Sequence, residues 1–294
     1  MTVRAVAKEA GPVPRGAFRL AHPEAGPIEA LACCLVGGPS QAPATAMAHD
    51  LAQSHGASLT AVAAVDPYIR ERRSRLKNFC QTVFTNACHD VMRRSAHRAI
   101  DDFERQNSDR RVEARRIVRG ADWRSLRDAV SGHDLAVAPA WVGIDGLDAT
   151  PENEVAPALA RNAGIPVLRV ASLPLDRGKV LFLIDGASQH CRLARVYMNL
   201  GLWRTARIVI LPIGGGGSSV EVACEERKVL RRHDHNAAVL PPLAADAVPD
   251  LEKLTRQFHV AAVDRSLGRS GLFASLRNCA FRAVTSRVPA ILFA

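Results

Sequence analysis

Short apolar runs alternate with amphipathic stretches along most of the chain. Residues 30–36 form an apolar run that is typical of a buried strand, and Gly37-Gly38-Pro39-Ser40 follows it. Gly56 predicts the end of a helix whose apolar residues recur at helical spacing. These residues are Ala44, Met47, Ala48, Leu51 and Ala52. A second apolar run at 59–65 completes a strand–turn–helix–strand unit.

The same order returns after residue 178, which indicates an internal repeat. In the second copy, strand 180–184 meets Asp185-Gly186-Ala187-Ser188, a helical pattern stops near Gly201, and strand 208–213 follows. The remaining strands are predicted at 112–118, 133–137 and 165–170 in the first copy and at 237–240, 259–263 and 288–293 in the second. The copies differ after their second strand, where the first has a long basic helix, 68–106, and the second a shorter one, 220–232.

Strands that alternate with helices predict a parallel sheet with helices on both faces. Near-continuous apolar strands are typical of such a doubly covered sheet. We therefore predict two flavodoxin-like (Rossmann-like) α/β three-layer sandwiches, each with a five-stranded, mostly parallel sheet. The expected division is a flexible tail at 1–27, a first domain at 28–171, a linker at 172–178 and a second domain at 179–294.

Composition narrows the class of protein. With 294 residues and 48% apolar content, the chain is large enough for two ordinary domains. No apolar run approaches the ~20 residues of a membrane helix, and 1–27 lacks the apolar block of a signal peptide. Seven scattered cysteines are typical of reduced thiols, so we expect a cytoplasmic protein without a membrane partner.

The net charge of +10 comes mainly from arginine. With 5% aromatic residues and no nucleic-acid motif, solvated helix faces are favoured over nucleic-acid binding. The arginines at 70–98 are the best candidates for contact with an acidic partner, such as RNA or anionic lipid.

Three features together resemble the universal stress protein (UspA-like) family in its tandem two-domain form. They are Asp185-Gly186-Ala187-Ser188 after a first strand, Ser266-Leu267-Gly268-Arg269-Ser270-Gly271 after a buried strand, and a Pro-apolar-apolar strand at the end of each copy. The resemblance covers the chain from about residue 28 onward. It implies a stress-response role, adenine-nucleotide (ATP or AMP) binding, and a pseudo-dimer through the final strands, 167–170 and 290–293.

The chemistry of these residues fits a weak nucleotide site in the second copy. A carboxylate at a strand's carboxyl end, such as Asp185, accepts hydrogen bonds from ribose hydroxyls or an adenine amine, and glycines allow the backbone to approach phosphates. The candidate binding residues are Asp185, Gly186, Ser188, Gly268, Arg269, Ser270 and Gly271. In the family the loop continues for nine residues to a Gly followed by Ser or Thr, whereas here Phe281-Arg282 stands at that place.

The first copy departs further from the family. Its turn, Gly37-Gly38-Pro39-Ser40, has no carboxylate. Gly143-Ile144-Asp145-Gly146 keeps the glycine spacing, but its aspartate and the acidic residues after it repel phosphate. We predict that this copy binds no nucleoside triphosphate and serves as a structural partner of the second.

Other clusters favour plain packing. Two clusters of potential metal ligands have spacings that disfavour a metal site. They are His233-Asp234-His235 with Cys224, and Cys80 and Cys88 with His89. Cys33 and Cys34 should point to opposite faces of a strand. A redox role for Cys191 ranks below packing. No Ser-His-Asp or paired-carboxylate arrangement can be assembled from the spacing, so we predict that the protein is not an enzyme. Three alternatives stay open: an interaction scaffold with an unknown protein partner, a homodimer, and a slow ATPase.

Overall fold

The computed structural model describes residues 28–35, 40–64, 94, 97–98, 100–103, 105, 114–118, 123–140, 155–184, 192–213, 217–243, 248–264 and 284–294. Its strands are β1 Ala30–Leu35, β2 Ser58–Ala64, β3 Ala114–Val118, β4 Leu135–Pro139, β5 Val167–Val170, β6 Lys179–Ile184, β7 Arg207–Pro212, β8 Ala237–Val239, β9 Val260–Val263 and β10 Ala290–Phe293. Its helices are α1 Gln41–His55, α2 Trp123–Val130, α3 Val155–Ala163, α4 Arg192–Leu200, α5 Gly217–Arg232 and α6 Val248–Thr255.

The ten strands within the described residues form one sheet with the order β3-β2-β1-β4-β5-β10-β9-β6-β7-β8. Within β1–β5 and within β6–β10, every neighbouring pair is parallel. Each set of five strands therefore follows the order 3-2-1-4-5, which is the Rossmann-like order and not the 2-1-3-4-5 order of flavodoxin itself. The predicted mostly parallel α/β sheet is confirmed by this topology.

The two halves meet at the strands β5 and β10, which pair antiparallel from Ala290 opposite Val170 to Phe293 opposite Val167. This is the edge pairing that the family resemblance implies, and it satisfies backbone groups that would otherwise form two open edges. Two separate five-stranded sandwiches are not confirmed, because the pairing merges both halves into one ten-stranded sheet. Strands β1–β5 run in one direction and β6–β10 in the other. The carboxyl ends of the two sets consequently point to opposite sides of the sheet.

Each face of the sheet carries its own apolar core, and each core extends through both halves. In β1, Leu31, Cys33 and Leu35 face one core while Ala32 and Cys34 face the other, so the two thiols point in opposite directions as predicted. Helices α1, α4 and α5 cover the first face, and α2, α3 and α6 cover the second. Full burial explains the unbroken apolar runs of β4, β9 and β10, because both sides of each of these strands are covered.

Helix α1 shows how the predicted pattern becomes structure. Its buried residues include Ala44, Met47, Ala48 and Leu51, which are the positions that recur at helical spacing. Gly56 has φ of 65°, and its N–H is directed at the carbonyl oxygens of Ala52 and Gln53. A left-handed residue that closes the last turn is the usual helix terminator, and glycine adopts it without steric cost.

Helix α3 is absent from the sequence-based prediction, which passes from the acidic segment near Glu154 directly to the last strand. The structure has a helix at Val155–Ala163, and Ala156, Leu159 and Ala160 pack it onto the second face. Pro157 lies in the first turn, where a backbone N–H has no helical acceptor, so the helix tolerates it.

Most of the predicted basic helix 68–106 lies outside the described residues, as does the tail 1–27. The described positions between 94 and 105 are helical, and Ile100 and Phe103 pack into the first core. The Phe103 ring lies 5.0 Å from that of His49 on α1. Within the described part of the chain, no helix is both long and apolar enough to cross a bilayer.

The segment between β5 and β6 is bonded to both halves. The N–H of Ala171 donates to the carbonyl oxygen of Pro289 at 2.7 Å, and the N–H of Leu175 donates to Nδ1 of His259 at 3.3 Å. Arg177 pairs with Asp50 of α1 at 3.2 Å. The domain and linker bounds predicted at 171 and 178 remain a prediction.

Candidate functional site

The predicted nucleotide-binding residues lie outside the described part of the chain. This holds for Asp185, Gly186, Ser188, Gly268, Arg269, Ser270 and Gly271, and equally for the segment 141–154 of the first half, which contains the other glycine pair. What the structure gives is the framework from which these segments leave the sheet. The predicted roles of the individual residues remain predictions.

That framework brings the two predicted turns to neighbouring starting points. β6 and β9 are adjacent and parallel, and Leu183 lies opposite Val263 in their register. The segments that follow, 185–191 and 265–283, therefore begin at the carboxyl ends of two adjacent strands, on the same side of the sheet. β6 has β9 on one side and β7 on the other, so the chain crosses over in opposite directions from this strand. Open α/β sheets bind ligands at such a switch point, outside the carboxyl ends of the strands.

Beside this switch point, the first turn of α4 is bonded to a carboxylate from another helix. Glu226 of α5 accepts the N–H of Leu193 on Oε1 at 3.2 Å and the N–H of Ala194 on Oε2 at 2.7 Å. The first amides of a helix have no acceptor within the helix, and a negative charge there interacts favourably with the helix dipole. Glu226 thus caps α4 and joins it to α5.

Glu226 is a buried acid, with only 1% of its surface exposed. Burial raises its pKa from 4.5 to about 7, although the amide hydrogen bonds from Ala194 and Leu193 act in the opposite direction. The charge of Asp264 adds to the rise in pKa and that of Arg195 opposes it. Asp264 directly follows β9 and is itself buried, so it stands at the point from which the glycine-containing segment 265–283 begins.

Sequence reasoning missed Glu226. The available signal is its position: Ala223, Glu226 and Leu230 are spaced three and four residues apart and share the buried face of α5. A glutamate within the apolar stripe of an amphipathic helix is an anomaly, because an unpaired carboxylate is almost never fully buried.

The first half has a different arrangement at the corresponding helix start. Ser40 precedes α1 and makes no side-chain cap. Gln41 instead donates from Nε2 to the carbonyl oxygen of Cys34 at 3.3 Å and to Oγ1 of Thr45 at 3.1 Å. Burial raises the pKa of the Cys33 thiol to about 12 and also raises that of Cys34. Protonated, buried thiols are unreactive, which agrees with core packing.

No group of three or more histidine, cysteine or acidic side chains converges closely enough for a metal ion among the residues that the structure describes. Of the clusters considered from sequence, Cys80, Cys88 and His89 lie outside that part of the chain. His235 packs against Tyr197, with ring centroids 6.0 Å apart. Its ring therefore belongs to the edge of the first core.

Solved structures with a similar arrangement include three that align over 90% of this chain. A universal stress protein from Archaeoglobus fulgidus DSM 4304 has a TM-score of 0.56 at 10% identity, with 95% of its own chain covered. A candidate universal stress protein from Pseudomonas aeruginosa UCBPP-PA14 has a TM-score of 0.51 at 14% identity and 92% coverage. A protein of unknown function from Pseudomonas aeruginosa PAO1 has a TM-score of 0.50 at 15% identity and 92% coverage.

These similarities define a class of fold. The chain has the α/β fold of universal stress proteins, with a mostly parallel sheet between two helix layers. No family model and no curated protein matches the sequence.

Proposed function

We propose that this chain is a tandem universal stress protein of the cytoplasm with a stress-response role. Its second half carries a weak adenine-nucleotide site formed by Asp185, Gly186, Ser188 and the Gly268–Arg269–Ser270–Gly271 turn. The observation that carries the proposal is the adjacency of β6 and β9, because it starts both turns from one edge at the switch point.

The first half acts as a structural partner in this proposal. Its turn at 37–40 has no carboxylate, and β5 pairs with β10 along the whole length of that strand. An open strand edge on the second half would otherwise be available for non-specific pairing. The half without ligand residues therefore protects the half that has them.

Nucleotide binding is tested by titrating the full chain with ATP and with AMP, followed by calorimetry and thermal unfolding. Saturable binding is expected, and ligand at 100 times the dissociation constant should stabilise the fold by about 2.7 kcal/mol. Asp185→Ala should abolish the effect, whereas Asp145→Ala in the first half should leave it unchanged. Absence of saturation at millimolar nucleotide would contradict the site and favour the alternative of a pure interaction scaffold.

A slow ATPase is the second alternative. It requires a metal ligand or a general base near the phosphates, and the sequence offers no arrangement that supplies one. Release of labelled phosphate from ATP, abolished by Asp185→Ala, would support this alternative over a binding protein.

A further inference from the structure

The contact between Glu226 and α4 is more costly than a simple helix cap. An N-cap serine or aspartate would satisfy the same amides from within the chain segment itself. Here the carboxylate belongs to a different helix, is buried, and uses one oxygen for each of two consecutive amides. Taking an ionised carboxylate out of water is expensive unless its hydrogen bonds are complete.

The surroundings of Glu226 contain few compensating charges. Asp264, after β9, disfavours ionisation, and Arg195, on α4, favours it. The strands β6, β7 and β8 that lie under α5 carry charged residues only at their first positions, Lys179 and Arg207. On α5 itself, Glu225 and Lys228 form an exposed ion pair of their own. The two amides of α4 are therefore the main groups that hold the charge.

We propose that Glu226 is a proton-operated latch between α4 and α5. When it is ionised, both oxygens accept an amide N–H and the first turn of α4 is fixed. When it takes a proton from solvent, one oxygen becomes a hydroxyl, which is a donor and only a poor acceptor, so one of the two amides of Leu193 and Ala194 loses its charge-assisted hydrogen bond.

The latch operates near neutral pH. The pKa of Glu226 is raised to about 7, mainly by burial, so the carboxyl changes state within the range that a cell experiences. Because the folded-state pKa lies above the unfolded value of 4.5, the group favours the folded state most below pH 4.5, and this contribution is lost as pH rises through about 7. Ionisation thus strengthens the two hydrogen bonds to α4 as long as Glu226 stays buried, and it lowers global stability because complete unfolding returns the carboxylate to water.

The proposal is independent of nucleotide binding and is tested on the full chain without nucleotide. The first measurement is amide hydrogen exchange at Leu193 and Ala194, expressed as protection factors that remove the intrinsic pH dependence of exchange. Protection should rise about tenfold or more between pH 6 and pH 8, the factor expected for one charge-assisted hydrogen bond. Glu226→Gln has one acceptor oxygen at every pH and should keep the low protection throughout.

The second measurement is chemical unfolding of the wild type and of two variants between pH 5 and pH 8. The folding constant of the wild type should fall over this range, because Glu226 has a pKa of about 7 in the folded state and 4.5 in the unfolded state, whereas glutamine does not titrate. The ratio of the Glu226→Gln folding constant to that of the wild type should therefore rise roughly 70-fold. Glu225→Gln, on the exposed side of the same helix, is the control. The ratio of its folding constant to that of the wild type should change by less than about threefold between pH 5 and pH 8.

Direct titration of the Glu226 carboxyl by carbon NMR in the wild type keeps the proposal testable if the glutamine variant does not fold. A midpoint near 7 with a coincident shift of the Leu193 and Ala194 amides supports the latch. A midpoint near that of an exposed glutamate, or protection at Leu193 and Ala194 that does not change with pH, overturns it.

Discussion

Arg169 donates a hydrogen bond from Nη2 to the carbonyl oxygen of Thr285 at 2.8 Å. Arg169 lies on β5 of the first half and is fully buried, and Thr285 lies in the helical turn 284–287 that comes before β10 of the second half. A charged side chain therefore crosses the junction of the halves within the second core, where arginine is rarely found.

Arg169→Ala should reduce the free energy of unfolding by about 3 kcal/mol, because it removes a large buried side chain and leaves a buried carbonyl with one partner fewer. Urea unfolding at neutral pH measures the loss. Arg177→Ala, which removes a half-exposed pair with Asp50, is the matched control and should cost less than about 1 kcal/mol. Equal losses in the two variants would show that Arg169 does not stabilise the junction.

Leu168 and Leu292 face each other across the same junction, in register and both fully buried on the first face. Each leucine-to-alanine change should cost about 2–5 kcal/mol. The double variant should deviate from the sum of the single variants by about 0.5–3 kcal/mol, since residues in contact share a cavity.

The control for this cycle combines Leu168→Ala with Leu211→Ala. Leu211 is equally buried but lies on β7 and faces the other core. These two changes should add within about 0.5 kcal/mol. Additivity in both pairs would mean that the halves do not share a core at β5 and β10.

Gly56→Ala should destabilise the protein by about 1 kcal/mol, because Gly56 has φ of 65° and an L-residue is strained there even though open space surrounds its Cα. Thermal unfolding provides the measurement. Gly217→Ala at the first residue of α5 is the control: the new methyl also meets no neighbour within 4 Å, but φ is not positive. It should change stability by less than about 0.5 kcal/mol.

The pKa of His235 is lowered from 6.5, first by burial and then by the charges of His233 and Arg204. Because the folded-state pKa lies below the unfolded one, this group stabilises the fold above pH 6.5, and the contribution is lost as pH falls below that value. His235→Gln should therefore lose less stability than the wild type between pH 7 and pH 5.5. If His235→Gln instead follows the wild type over this range, folding does not lower the pKa of His235.

The strands were predictable because a sheet covered on both faces requires continuous apolar segments, and such segments stand out in the sequence. Errors are confined to their ends: His133 was assigned to a strand, but β4 begins at Leu135. α3 was missed because its buried residues are mainly small alanines that give a weak periodic signal. The pairing of β5 with β10 was predictable from what the family resemblance implies, together with the need to cover two open strand edges.

The candidate site was less predictable. The sequence marks Asp185 and Gly268 as suitable residue types after strands, and the structure shows that the strands before them, β6 and β9, are adjacent. Glu226 lies 33 residues from Leu193, and only the packing of α5 on α4 shows that its carboxylate meets those amides. The spacing of Ala223, Glu226 and Leu230 marks Glu226 as unusual in the sequence, but it does not reveal which groups the carboxylate contacts.

The junction between β5 and β10 also determines in what ratio the two halves associate. As separate polypeptides, the two halves would each present an unpaired strand edge, open to pairing with another copy of the same half as well as with the other half. On one chain they meet at an effective concentration in the millimolar range, so the unlike pair forms every time. The β5–β10 junction therefore forms within a single chain.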